Sequence, residues 1–123
     1  IGEQKESDEM REFIEPLASA LGDLQKSTTW LMQNALTNPE NAGAASVPYL
    51  YVMGLVAIGH MWAQIARTSF DALGSDCDDR EFYENKLLTA RYYCSNMLPE
   101  TAIHRTRVEA GSKNLMELDA QAF

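Results

Sequence analysis

From Met10 onward the apolar positions follow a regular beat: Met10, Ile14, Leu17, Leu21, Leu24, Thr28, Leu31, Ala35. The spacing alternates four and three, which lays one apolar stripe along a long helix. Ser7 reads as its N-cap, with Asp8 and Glu9 in the first turn where the helix dipole favours acid. Pro16 removes the hydrogen bond to the Glu12 carbonyl, so the helix either kinks there or has its stable part begin near Glu15. Residues 1–8 are polar and read as a frayed lead-in or the end of a linker, ahead of a helical bundle over 9–123.

A different pattern occupies Val47–Phe70, VPYLYVMGLVAIGHMWAQIARTSF. No Asp, Glu, Lys or Arg lies between Glu40 and Arg67, and apolar residues fall on every face. A helix apolar all round is expected to be buried, either among other helices or in lipid. Its length and its alanines and methionines favour helix over strand. Gly54 and Gly59 each weaken it by about 1 kcal/mol relative to Ala. Close approach of a neighbouring helix is the expected compensation, with Gly59 and Ala63 forming a face of small residues. Pro48, His60 and Gln64, and the lack of a basic cluster at either end, favour a core helix over a membrane span.

The connections follow. Asn38-Pro39-Glu40 reads as a cap followed by proline at a first helical position. Asn41 to Ser46 is a tight connection or lead-in turn, with Ser46 capping the central helix and Gly74 stopping it after about Leu73. SDCDDR, residues 75–80, lacks the glycine and alternating ligands of a calcium loop. It reads instead as a turn with Asp78 capping and Glu81 completing a capping box. Phe82 to Leu98 is an amphipathic helix with Tyr83, Leu87, Ala90, Cys94 and Met97 on one stripe. It is interrupted or kinked at Pro99 and continues to Gly111, and Ser112 caps a last short segment. The expected fold is all-α, an up-down bundle of three long helices plus a short C-terminal helix.

Composition narrows the function. With 18 acidic and 10 basic residues the net charge is −8, which disfavours nucleic acid and anionic membrane surfaces as partners. Cys77 and Cys94 form no CxxC pair and read as free thiols of a reducing, cytoplasmic compartment. The opening IGEQKESDEMRE is neither a signal peptide nor a transit sequence, and reads as part of something longer. No HExxH, GxGxxG, phosphate loop or GxSxG occurs. Ala57 and Thr101 stand where Glu-x-x-His pairs of a di-iron bundle need Glu. His60 and His104 with the cysteines match no closed zinc spacing, and His60 reads as a hydrogen-bonded core histidine.

Pro48-Tyr49-Leu50, Gly54-Leu55-Val56 and Trp62, then Phe82-Tyr83-x-x-Lys86, Ala90-Arg91-Tyr92-Tyr93, Leu98-Pro99 and Gly111 carry a resemblance. In order and separation they resemble the helical C-terminal extension of the larger acyl-CoA dehydrogenases, including the 3-methylmercaptopropionyl-CoA dehydrogenase-like enzymes, from about Leu17 to Leu118. The resemblance implies a parent flavoenzyme of fatty acid metabolism. There a Glu takes the α-proton of an acyl-CoA thioester and hydride from the β-carbon passes to FAD. It places the catalytic Glu, the FAD site and the acyl-CoA groove upstream, with no catalytic, cofactor or metal residue in this chain. Its partners would be the upstream dehydrogenase domains and a second subunit of a dimer. Trp30, Tyr51, Phe82 and Tyr92, with Lys86 and Arg91 as polar pairing groups, are the candidate interface; the alternative is that these aromatics complete the bundle's own core. For Lys86 and Arg91, ion pairing within the chain, with Glu84 for example, is the plainer reading. A free-standing helical interaction module and a small membrane protein are the competing functional classes.

Overall fold

The computed structural model describes residues 2–123, with side chains from Asp8 onward. Two long helices come first, α1 (Gly2–Asn34) and α2 (Pro39–Leu73). The third pass is compound: α3 (Arg80–Tyr92), a π-helical turn (Tyr93–Met97) and α4 (Glu100–Glu109). The short α5 (Lys113–Met116) and a 3-10 turn (Ala120–Ala122) finish the chain. No strand occurs among the described residues. The fold is thus the expected all-α, up-down bundle.

Cross-chain contacts fix the directions of the passes. Phe13 meets Phe70 edge-to-face at 6.1 Å, Tyr49 and Thr28 hydroxyls are 2.7 Å apart, and Asn41 reaches the Asn34 carbonyl at 3.1 Å, so α1 and α2 are antiparallel. Thr28 already donates to Leu24 O, so the Tyr49 hydroxyl is the donor to Thr28. The third pass returns parallel to α1, since Arg91 pairs with Glu12 at 3.0 Å and Thr101 donates to Asp23 at 2.8 Å. The core is Phe13 and Ala20 from α1, Val52, Leu55, Val56 and Ala66 from α2, and Leu87, Ala90, Tyr93, Cys94 and Leu98 from the third pass.

Several boundaries differ from those read from the sequence. Helix α1 begins at Gly2 and runs through both Ser7 and Pro16, so Ser7 lies inside it and does not cap it; Ile1 lies outside the described residues. The α1 stripe is rotated by one flank. Met10, Leu17 and Leu24 do face the core, but their companions are Phe13, Ala20 and Ser27, while Ile14 and Leu21 point outward. Small residues let helices approach closely, so Ala20 and Ser27 occupy the seam that larger Ile14 and Leu21 would overfill.

Helix α2 starts at Pro39, with the Asn38 side chain accepting from the Glu40 amide as expected of a cap. Asn41–Ser46 is therefore helix, and Ser46 bonds back to the Gly43 carbonyl and caps nothing. Asn41 has a larger role: its carbonyl oxygen accepts from both the amide and the hydroxyl of Ser112, each at 2.9 Å, while its amide holds the end of α1. The cap of α3 is Asp79, with no side-chain bond, in place of the expected Asp78. At its far end α2 stops before Gly74, and Arg80 donates to the freed Leu73 carbonyl at 3.1 Å.

The π turn is the local answer to Pro99. Proline lacks an amide and its ring collides with the carbonyl four residues back. Widening the preceding turn bonds Leu98 N to Tyr93 O at 3.0 Å, an i→i−5 step, and the chain resumes as α4. The extra residue per turn swings Tyr93 and Leu98 inward beside Cys94, so Leu98 is buried and Met97 drifts outward. Gly111, with φ of +70°, ends α4 in the left-handed region where a β-carbon is costly.

Candidate functional site

Helix α2 is not buried all round. Its inner stripe, Val52, Leu55, Val56, Gly59, Ala63, Ala66 and Ser69, faces α1 and the third pass. The outer side carries Val47 (60% exposed), Leu50 (67%), Tyr51 (55%), Ile58 (47%) and Met61 (59%), with Met53 on its flank. These recur at three- and four-residue steps and form a second apolar stripe opposite the first. Two amphipathic neighbours, each offering one apolar face, cover two sides of α2 and leave the third bare. By length and composition α2 could also cross a bilayer. Its partner helices carry ion pairs along the same length, Glu12 with Arg91 and Asp23 with Arg105, which lipid disfavours.

The bare strip is a continuous run of exposed apolar side chains, of a kind that soluble monomers seldom leave uncovered. Toward the C-terminal end of α2 it runs into a groove of about 330 Å³ between α2 and α3, lined by Met61, Gln64, Ile65, Thr68, Phe82 and Lys86 among others. The Lys86 ammonium stands 5.2 Å from the Phe82 ring centre and 6.0 Å from that of half-buried Trp62. Such cation–aromatic contacts orient a lysine without neutralising it. Among the described residues no carboxylate lies within ion-pair distance of Lys86.

The six interface residues read from the sequence therefore fall at different places. Phe82 and Lys86 share the groove. Tyr51 lies on the bare stripe, its ring stacked on His104 at 4.9 Å, and holds the stripe to α4. Tyr92 is exposed on α3. Arg91 spends its Nε–H on both oxygens of Glu12, at 3.0 and 3.1 Å, so it bonds α3 to α1 and not to Glu84. Trp30 is half-buried at the other end of the bundle, beside Gly111. Sequence reasoning missed Val47, Leu50, Met53, Ile58 and Met61 as surface residues, because their pattern was absorbed into an expectation of complete burial. His60 is likewise on the surface, bonded to Gln64 at 3.2 Å, and is not a core histidine.

Among the described residues no group of three His, Cys, Asp or Glu side chains could share a metal ion. A groove of about 540 Å³ at the α2 and α5 N-termini is lined by Glu40 and Glu117 among others. Their charge opposes the pyrophosphate of a flavin dinucleotide, and Asn38 already occupies the Glu40 amide, so these residues do not fit that cofactor. Cys94 is buried, and desolvation foremost, then Glu12, raises its thiol pKa, which makes it a poor nucleophile. Cys77 and Cys94 are both free thiols.

The described residues thus form an all-helical bundle with one bare apolar face. The chain belongs to the family described as acetyl-CoA dehydrogenase C-terminal like, which it matches over residues 1–119. It is 35% identical over 115 residues to the broad-specificity linear acyl-CoA dehydrogenase FadE5 of Mycobacterium tuberculosis, covering 87% of this chain and 19% of that relative. The chain thus spans about a fifth of the relative's length.

Proposed function

We propose that this chain is the C-terminal assembly domain of a longer FAD-dependent acyl-CoA dehydrogenase, and that it catalyses nothing by itself. The family match over nearly the whole chain, against a relative about five times longer, carries the reading. The full-length enzyme removes hydrogen across the α,β bond of an acyl-CoA thioester, with FAD bound by domains upstream of this one. The contribution of residues 1–123 is structural: the bundle packs against the dehydrogenase body and helps fix a homo-oligomer. The bare α2 stripe supports this, since it is the kind of surface that a same-chain partner covers. Two free cysteines support a cytoplasmic setting.

The test is to translate the coding sequence ahead of Ile1 and express the whole product. A flavoprotein that oxidises acyl-CoA substrates, and loses thermal stability when residues 1–123 are deleted, is the expected result. An upstream sequence with no dehydrogenase domain would overturn the proposal and favour a free-standing interaction module.

A further inference from the structure

Among the described residues three glycines stand in open helix surface, Gly22, Gly43 and Gly54: a β-carbon added to any of them meets nothing within 4 Å. Gly22 sits among Ala18, Ser19, Gln25 and Lys26 on polar surface, and Gly43 lies at the edge of the bare stripe, between polar Glu40 and Ser46 and with Val47 one turn on. Gly54 differs, because the positions one turn away on either side are Leu50, Tyr51 and Ile58, all exposed and apolar. It lies at the middle of the bare stripe, with Val47 two turns before it and Met61 two turns after. A mid-helix glycine weakens the helix and here gains no packing from its own chain, unlike Gly59, which Leu98 and Leu17 press against. What a glycine offers at such a point is room for another backbone to cross.

We propose that a helix of the upstream dehydrogenase body crosses α2 at Gly54, and that this helix carries a carboxylate which reaches Lys86. The inference rests on the domain reading above and names the contact through which it operates. Three features specify the occupant. The stripe holds no charge between Glu40 and Arg67, so the crossing face must be apolar. The stripe continues into the Met61–Phe82 groove, where Lys86 has no carboxylate within ion-pair distance among the described residues, so the occupant's end there is acidic. The stripe runs from Val47 to Met61, about four helical turns, a length that one crossing helix and its end cover.

Met53 and Met61 report the contact, since both residues are exposed on the bare side of α2 and methionine oxidises to sulfoxide where solvent reaches it. Peroxide oxidation is followed by peptide mass spectrometry in residues 1–123 alone and in the full-length parent. Met61 is expected to oxidise about tenfold more slowly in the parent, as in a sealed interface core. In the parent, Gly54→Leu should remove most of that protection, and Lys86→Glu part of it, while Gly22→Leu should leave it intact. Gly54→Ala in the isolated chain should raise its melting temperature, which separates lost docking from lost folding. Equal Met61 rates in the parent and the isolated chain, or full protection retained in the Gly54→Leu parent, would overturn the crossing while leaving the assembly role standing. Protection that grows with the concentration of the isolated chain would also overturn it, by making a second copy the occupant. A parent without a dehydrogenase body would overturn both.

Discussion

Leu98 lies so close to Gly59 that a β-carbon on the glycine would stand 3.0 Å from its Cδ2, with Leu17 Cδ1 at 3.2 Å on the other side. Leu98 is brought there by the π turn that Pro99 imposes, so a proline in the third pass and a glycine in the second are two parts of one fit. Gly59→Val should destabilise the chain by about 1–3 kcal/mol through overpacking. Gly54→Ala, on the same helix but facing open space, should stabilise it by up to about 1 kcal/mol. Denaturant titration of both variants checks the contrast, and equal signs would mean that the helix is packed differently.

Tyr93 anchors the same turn. Its hydroxyl donates to the Leu55 carbonyl at 2.6 Å within the core. Tyr93→Phe should cost about 1 kcal/mol, because the carbonyl belongs to a helix that keeps its own bonding. Desolvation foremost, then the charges of Cys94 and Glu100, raises the Tyr93 pKa above its ordinary 10.0. The unfolded chain therefore ionises this phenol first as pH rises. The stability it contributes is full below about pH 10 and declines above it toward the folded-state value. Stability measured across that range should fall less steeply in Tyr93→Phe than in the parent sequence.

The two thiols should separate cleanly. Cys94 is buried with a raised pKa, whereas Cys77 sits half-exposed in the 75–79 turn. A maleimide at neutral pH should label Cys77 quickly and Cys94 only on unfolding. Labelling at comparable rates in the native chain would show that the π turn opens readily.

Asn41 links three segments through its single side chain. Asn41→Ala leaves the Ser112 amide and hydroxyl unpartnered on partly buried ground and should cost about 2 kcal/mol. Its hydrogen-exchange signature should be local, at the α1 end and at residues 111–116.

The number of helical passes, their order and the caps at Asn38 and Gly74 were legible in the sequence, because periodicity and Pro/Gly punctuation report local backbone preference. The lateral placement of helices was less so. Ala20 and Ser27 are weak hydrophobic signals, yet smallness puts them in the seam, while Ile14 and Leu21 lose that place for want of room. For α2, an all-apolar pattern cannot distinguish a helix covered on three sides from one covered on two; that depends on how many neighbours exist. Of the six interface residues read from the sequence, Arg91 is tied to Glu12 because an acidic partner on α1 lies at the same level. Nothing local to either residue announces that pairing.

In the proposed function, residues 1–123 serve a flavoenzyme without carrying its chemistry. The most direct measurement is the visible absorbance and acyl-CoA oxidation rate of the full-length product beside those of the isolated chain, each after dialysis. Near-stoichiometric bound flavin and turnover are expected in the full-length protein, and neither in the chain alone. Flavin retained by the isolated chain, or a full-length protein that binds no flavin, would contradict the proposed function.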